Sequence, residues 1–124
     1  MNKEGKNLIL VCDDEEDIRQ SVKDVLTDEG FDVITACDGK DLLDKLKKSK
    51  PDLILLDIIM PGLVTKEILS EMHKMKLHIP IIFLTIVRLA EQSKEIIGNS
   101  VVDYIEKPFD NKDLIKRIRK VLRD

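Results

Sequence analysis

Four apolar runs in this chain lead into side chains that can do chemistry. Leu8 to Cys12 runs into Asp13-Asp14, Leu53 to Leu56 into Asp57, Ile81 to Leu84 into Thr85, and Val101 to Ile105 is followed, one residue on, by Lys107. Brought together, the acids carry −3 and the lysine +1, and the −2 left over calls for a divalent cation. Oxygen ligands from carboxylates and water suit Mg²⁺ or Mn²⁺, and the chain has no His or Cys spacing of the kind that holds zinc. An aspartate is ionised near neutral pH, so it can attack phosphorus without a general base. A cation and Lys107 would neutralise the charge of the incoming phosphoryl group. The reading is an aspartyl-phosphate site with Asp57 as nucleophile and Thr85 as a hydrogen-bond donor to a phosphoryl oxygen. Singly, each residue also reads as a cap, a turn residue or a solvated charge. Their shared place at strand ends is what favours a site.

The elements that must position them follow from the apolar pattern. Leu53 to Pro61, LILLDIIMP, is an aliphatic run broken by one acid, opened by Pro51-Asp52 and closed by Pro61-Gly62. Such runs read as strands buried on both faces. A lone acid in mid-strand would be costly, whereas at the carboxyl end of a parallel strand it faces the crevice where open α/β sheets bind ligands. The other predicted strands are Asn7–Cys12, Phe31–Cys37, Ile81–Thr85 and Val101–Ile105. Helical spacing of apolar residues predicts helices over Glu16–Glu29 (Ile18, Val22, Val25, Leu26), Lys40–Ser49 (Leu42, Leu43, Leu46) and Val64–Lys76 (Ile68, Leu69, Met72, Met75). A thin stripe predicts a fourth, least stable helix over Ala90–Ile97, and a fifth spans Asp110–Arg123, capped by Asp110 or Asn111. Strands alternating with helices give an α/β fold, a doubly wound parallel sheet. Five (βα) units suit the flavodoxin-like order 2-1-3-4-5, which puts strands one and three at the switch point.

Composition narrows the class. At 124 residues the chain is read as a single domain with a core over about residues 7–123. With 43% hydrophobic and 36% charged residues it is ordinary for a globular protein, and with only 3% aromatics its core must be aliphatic. A net charge of −3 argues against direct nucleic-acid binding by this domain. No apolar stretch approaches a membrane span, and Leu8 to Cys12 is too short for a signal peptide. Cys12 and Cys37, both in strand-like runs, are expected to be buried free thiols in a reducing cytoplasm, with Cys12 disfavoured as a nucleophile by the acids that follow it. His73 and His78 are expected at the surface, away from the acidic edge.

These residues resemble the response-regulator receiver domain of two-component signalling. The resemblance covers about Leu8 to Leu122 and rests on Asp13-Asp14, Asp57 in LLDIIMPG, Thr85 after IIFL, Tyr104 in DYIEKPF, and Lys107-Pro108. It implies that Asp57 accepts a phosphoryl group from the phosphohistidine of a sensor histidine kinase or a histidine phosphotransfer protein. Mg²⁺ would be bound directly by Asp14, Asp57 and the Ile59 backbone carbonyl, and by Asp13 through water. Lys107 would pair with the phosphoryl group, across a cis bond to Pro108. Thr85 and Tyr104 would act as switch residues, reshaping the face made by the fourth helix, fifth strand and fifth helix. That face would be read by a downstream effector, a fused output domain or a second copy in a homodimer. Such a domain is a phosphoacceptor that assists its own phosphotransfer and slow dephosphorylation, and is not a turnover enzyme.

The chain departs from the family pattern at Ile86, where a small residue is usual, at Val64 and Thr65 after the MPG turn, and at Ser100 before the fifth strand. Ile86 would crowd the phosphoryl site, which keeps open a degenerate receiver acting as a phosphorylation-independent binding module. Ile59 and Val87 cannot orient an attacking water, so together with Ile86 they predict a long-lived phosphorylated state. A redox flavodoxin-like protein would need a Ser/Thr/Gly-rich phosphate loop after strand one, where this chain has five acids. An aspartyl-nucleophile phosphatase would need a capping insertion for which this length leaves no room. Lys112, Lys116, Arg119, Lys120 and Arg123 form a basic stripe on the last helix, read as a solvated face or as docking charges.

Overall fold

The computed structural model describes residues 5–57, 65–85 and 101–122. Its strands are β1 (Leu8–Cys12), β2 (Asp32–Ala36), β3 (Leu53–Asp57), β4 (Ile81–Thr85) and β5 (Val101–Glu106). Among the described residues four helices connect or follow them: α1 (Glu16–Asp28), α2 (Gly39–Lys48), α3 (Thr65–Lys74) and α4 (Asn111–Leu122). All strand pairs are parallel, in the order β2-β1-β3-β4-β5. The doubly wound sheet expected from the alternating pattern is therefore observed. The predicted helix over Ala90–Ile97 lies outside the described residues.

Side chains alternate across the sheet. Ile9, Val11, Leu53, Leu55, Ile82 and Leu84 point to one face, where α1 and α4 cover them with Val22, Leu26, Leu114 and Ile118. Leu10, Ile54, Leu56, Ile81 and Phe83 point to the other, under Leu42 and Leu46 of α2 and Ile68 and Met72 of α3. Because β1, β3 and β4 are covered on both sides, their runs are apolar without interruption. Each such aliphatic side chain, fully buried, contributes about 1.5–3 kcal/mol.

Helix ends account for small shifts from the predicted boundaries. Gly30, at φ +94°, ends α1: its N–H donates to the Thr27 carbonyl and that of Phe31 to the Leu26 carbonyl. The same pattern ends α3 with a lysine in the left-handed position. Lys76 has φ +59°, its N–H donates to the His73 carbonyl, and Leu77 N–H donates to Met72. That turn stops α3 at Lys74, short of the predicted Lys76. Asp110 is the cap of α4, its Oδ1 accepting from the Lys112 N–H at 3.2 Å. Asp38 caps α2 by accepting from the Asp41 N–H at 2.8 Å.

One expectation about the cysteines is corrected. Cys12 is buried, but Cys37 is exposed. β2 ends at Ala36, so Cys37 falls past the pleat into the turn before α2, where its N–H donates to Asp41 Oδ2 at 3.0 Å. Burial first, then the nearby Asp38, Asp13 and Asp41 charges, hold the Cys12 thiol far above its ordinary pKa, which removes it as a nucleophile. His73 and His78 are exposed, as expected.

Candidate functional site

The register of the sheet assembles the site. Cys12 is level with Leu56 and Asp57 with Leu84, so Asp13, one residue past β1, comes beside Asp57, the last residue of β3. Thr85 closes β4 opposite Glu106 of β5, and the Lys107 N–H donates to the Thr85 carbonyl at 2.6 Å. Asp13, Asp57 and Thr85 are the buried polar residues among those described. The crossover between β1 and β3, with α1 on one face and α3 on the other, is the switch point at which such sheets bind ligands.

Asp13 is held from four directions. Its N–H donates to the Ala36 carbonyl at 3.1 Å, and its Oδ1 accepts from the Glu15 N–H at 3.0 Å. Its Oδ2 accepts from Lys107 Nζ at 2.7 Å, and its carbonyl accepts from Arg19 Nη1 at 2.7 Å. Lys107 also lies 3.4 Å from Asp57 Oδ2. Burial presses the Lys107 pKa down, but the hydrogen bond and charge of Asp13, followed by Asp57, outweigh it and leave the pKa above the ordinary lysine value. Asp14, by contrast, is exposed. One carboxylate oxygen from each of Asp13, Asp14 and Asp57 can be chosen so that all lie within 4.8 Å of one another. An all-carboxylate donor set with one member open to water fits a hard divalent cation that keeps several waters, as Mg²⁺ does.

The structure thus brings together Asp13, Asp14, Asp57 and Lys107, with Thr85 at the end of the adjoining strand. Tyr104 stands on β5 in register with Phe83, half-buried against the second-face cluster. The peptide bond Lys107–Pro108 is cis. Ile59, Ile86, Val87, Val64, Ser100 and Arg123 lie outside the described residues. A groove of about 410 Å³ adjoins the site, lined by residues that include Glu15, Ile18, Lys107, Pro108 and Phe109.

Sequence reasoning missed the contacts of three arginines. Arg19 holds the Asp13 carbonyl. Arg117 donates to Asp103 at 2.9 Å and to Asp113 at 2.9 Å, and to the Tyr104 carbonyl at 3.4 Å. Arg119, one of the predicted basic stripe, bonds Glu29 Oε2 at 2.9 Å and lies 5.5 Å over the Phe31 ring, so its charge is used within the molecule. Lys112, Lys116 and Lys120 are exposed on α4. The four-residue spacing of Asp113 and Arg117 was a readable signal for one of these contacts; nothing in the sequence marked the others.

Comparison with known proteins agrees with the geometry. Residues 9–119 match the family model described as the response regulator receiver domain. The alkaline phosphatase synthesis transcriptional regulatory protein PhoP of Bacillus subtilis is 38% identical over 125 residues, covering 99% of this chain and 50% of that protein. The chain spans about half the length of the curated relatives it matches. The chemotaxis protein CheY4 of Vibrio cholerae superposes with TM-score 0.85 at 30% identity, over 95% of this chain and 100% of that one. The response regulator TrrA of Thermotoga maritima, solved in complex with Mg(2+)-BeF, gives TM-score 0.80 at 34% identity over 94% of this chain and 99% of that one.

Proposed function

The chain belongs to the response regulator receiver domain family of two-component systems, and from that premise we propose that Asp57 is its phosphoacceptor. The observation that carries this reading is the burial of Asp57 at the end of β3, beside Lys107 and within one carboxylate cluster with Asp13 and Asp14. An Asp57 carboxylate oxygen attacks the phosphorus of a partner phosphohistidine. The nitrogen–phosphorus bond breaks and the imidazole, already protonated at its other ring nitrogen, leaves neutral. Lys107 stands against the negative charge that accumulates on the phosphoryl oxygens. Asp14 and Asp57, with the Ile59 carbonyl, would hold Mg²⁺ (or Mn²⁺) directly, and Asp13 through water. That cation supplies charge neutralisation at the phosphoryl oxygens. Asp13, whose side-chain oxygens already accept from Glu15 and Lys107, keeps the lysine aimed at the site.

The Thr85 hydroxyl then reaches a phosphoryl oxygen and Tyr104 turns inward, reshaping the surface that includes β5 and α4. The groove beside Lys107 gives a histidine kinase or phosphotransfer protein a place to seat its phosphohistidine. The reshaped surface is read by an effector, a joined output domain or a second copy. Relatives named as transcriptional regulators make control of transcription the output of choice. Direct contact with nucleic acid is not assigned to this domain. Its proposed compartment is the cytoplasm; no described helix is long and apolar enough to cross a membrane. The domain assists its own phosphotransfer and loses the phosphoryl group slowly, because Ile59, Ile86 and Val87 supply no polar group to orient water.

Intact-mass measurement after incubation with acetyl phosphate and Mg²⁺ tests the reading. The expected result is a gain of one phosphoryl group that requires Mg²⁺ and disappears in Asp57→Ala. No gain in the unmodified chain would make it a phosphorylation-independent binding module. Decay within seconds would remove the claim of a long-lived state.

A further inference from the structure

Asp14 presents a placement problem. Asp13 is fixed by four hydrogen bonds, and Asp57 is the buried last residue of β3, but Asp14 is exposed, and no described residue gives its carboxylate a hydrogen bond or ion pair. Among the described residues, its place is therefore set through its backbone. The peptide joining Asp13 to Asp14 is a rigid plane, so fixing the Asp13 carbonyl fixes the Asp14 N–H and the direction in which Cα of Asp14 leaves the plane. The group that fixes this carbonyl is the Arg19 guanidinium, at 2.7 Å. Downstream, the Glu15 N–H returns to Asp13 Oδ1, which pins the other side of Asp14.

The choice of partner is informative. Arg19 sits on α1, one turn after Glu15 and Glu16, acids within ordinary helical pairing distance. Among the described residues it makes no ion pair with either, and its side-chain hydrogen bond goes to the loop carbonyl. A half-buried guanidinium held on one main-chain oxygen orients that oxygen more firmly than water would.

We propose that Arg19 is a positioning residue for the divalent-cation site: it acts through the Asp13 carbonyl to hold Asp14 where a cation can take it as a ligand. The inference rests on the assignment of Asp14 as a metal ligand. It makes a prediction whose sign separates it from simple charge. Removing a positive group from beside three carboxylates would, by Coulomb attraction alone, tighten cation binding. Removing a positioning group loosens it, as loss of outer-shell partners does at other metal sites, by about 10-fold.

The experiment is calorimetric titration of the full chain with Mg²⁺, comparing the unmodified protein, Arg19→Ala and Arg19→Gln, with circular dichroism to check folding. Arg19→Ala is expected to bind Mg²⁺ about 10-fold more weakly. Arg19→Gln, which keeps a donor and drops the charge, should fall between it and the unmodified chain. At saturating Mg²⁺ the rate of phosphorylation of Arg19→Ala by acetyl phosphate should return to that of the unmodified protein, so the defect is in cation affinity and not in maximal rate. Equal or tighter Mg²⁺ binding by Arg19→Ala overturns the proposal; if that variant does not fold, tighter binding by Arg19→Gln does so. An unmodified chain that fails to bind Mg²⁺ at all would overturn the metal-site reading together with it.

Discussion

Lys107 and Arg117 each sit between two aspartates, one at the carboxyl edge of the sheet and the other between β5 and α4. Arg117 has the more regular geometry, 2.9 Å to both Asp103 and Asp113. Lys107 reaches Asp13 at 2.7 Å but Asp57 only at 3.4 Å. Exposure reverses the ranking. The side chains around Arg117 are 29–43% exposed, whereas those around Lys107 are at most 8% exposed. Water screens the first set and leaves each pair worth a few tenths of a kcal/mol. The second set is shielded, and its members cannot be removed singly without stranding a buried charge. The two sets also differ in balance. Arg117 is one cation among acids that water can solvate, while Lys107 is one ammonium for three carboxylates gathered at one point. Distance alone would rank these bridges wrongly; burial and charge balance rank them by what they cost and what they do.

Substituting the lysine tests the contrast most severely. Lys107→Met should lose about 3 kcal/mol of stability in urea titration, since it leaves Asp13 and Asp57 buried without their cation. It should also slow phosphorylation by acetyl phosphate about 100-fold, the loss typical of one charge-stabilising donor. The same variant bears on pH. Lys107 has a folded pKa raised above its unfolded value, so its stabilisation is whole below the ordinary lysine value of about 10.4 and is lost as pH rises through the higher folded value. The alkaline fall in stability above that pH should be shallower in Lys107→Met.

A smaller effect of opposite sign is expected at Asp14. Asp14→Asn removes one of three mutually repelling charges, so in Mg²⁺-free buffer the variant should be about 1 kcal/mol more stable than the unmodified chain. Added Mg²⁺ should raise the melting temperature of the unmodified chain by ligand linkage, and Asp14→Asn should lose most of that rise. A destabilised Asp14→Asn would show that the acidic cluster is not strained. The smallest effect belongs to the exposed set: Arg117→Ala should cost below about 1 kcal/mol, less still at high salt, and leave phosphorylation by acetyl phosphate unchanged. A loss as large as that of Lys107→Met would erase the distinction between the two regions.

Much of this arrangement is legible in the amino-acid sequence. The apolar runs marked β1, β3 and β4 because burial on both faces leaves no room for polar positions, and each run stopped where its chemistry began. Gly30 was readable as a helix end because glycine takes the left-handed turn at little cost. Lys76 makes the same turn and was not readable, since a lysine in that conformation is held by the surrounding hydrogen bonds and not by its own preference. Cys37 was misplaced because a strand pattern shows where apolar residues run and not where the pleat ends. Arg19 and the bond from Arg119 to Glu29 were invisible for a different reason. A long flexible cation can reach several acceptors, and only the tertiary approach of its helix selects among them.

The bond from Lys107 to Asp13 joins residues 94 apart in the chain, and this has a consequence for how the domain is made. A polypeptide leaves the ribosome from its amino end at about 5–20 residues per second. The acids at the ends of β1 and β3 therefore emerge seconds before the lysine that counters them. Because Lys107 directly follows β5, an edge strand of the sheet, docking of that strand both completes the hydrogen-bonded ladder and neutralises the cluster. No fragment that stops short of β5 can carry the finished site, so its competence waits until the sheet is whole.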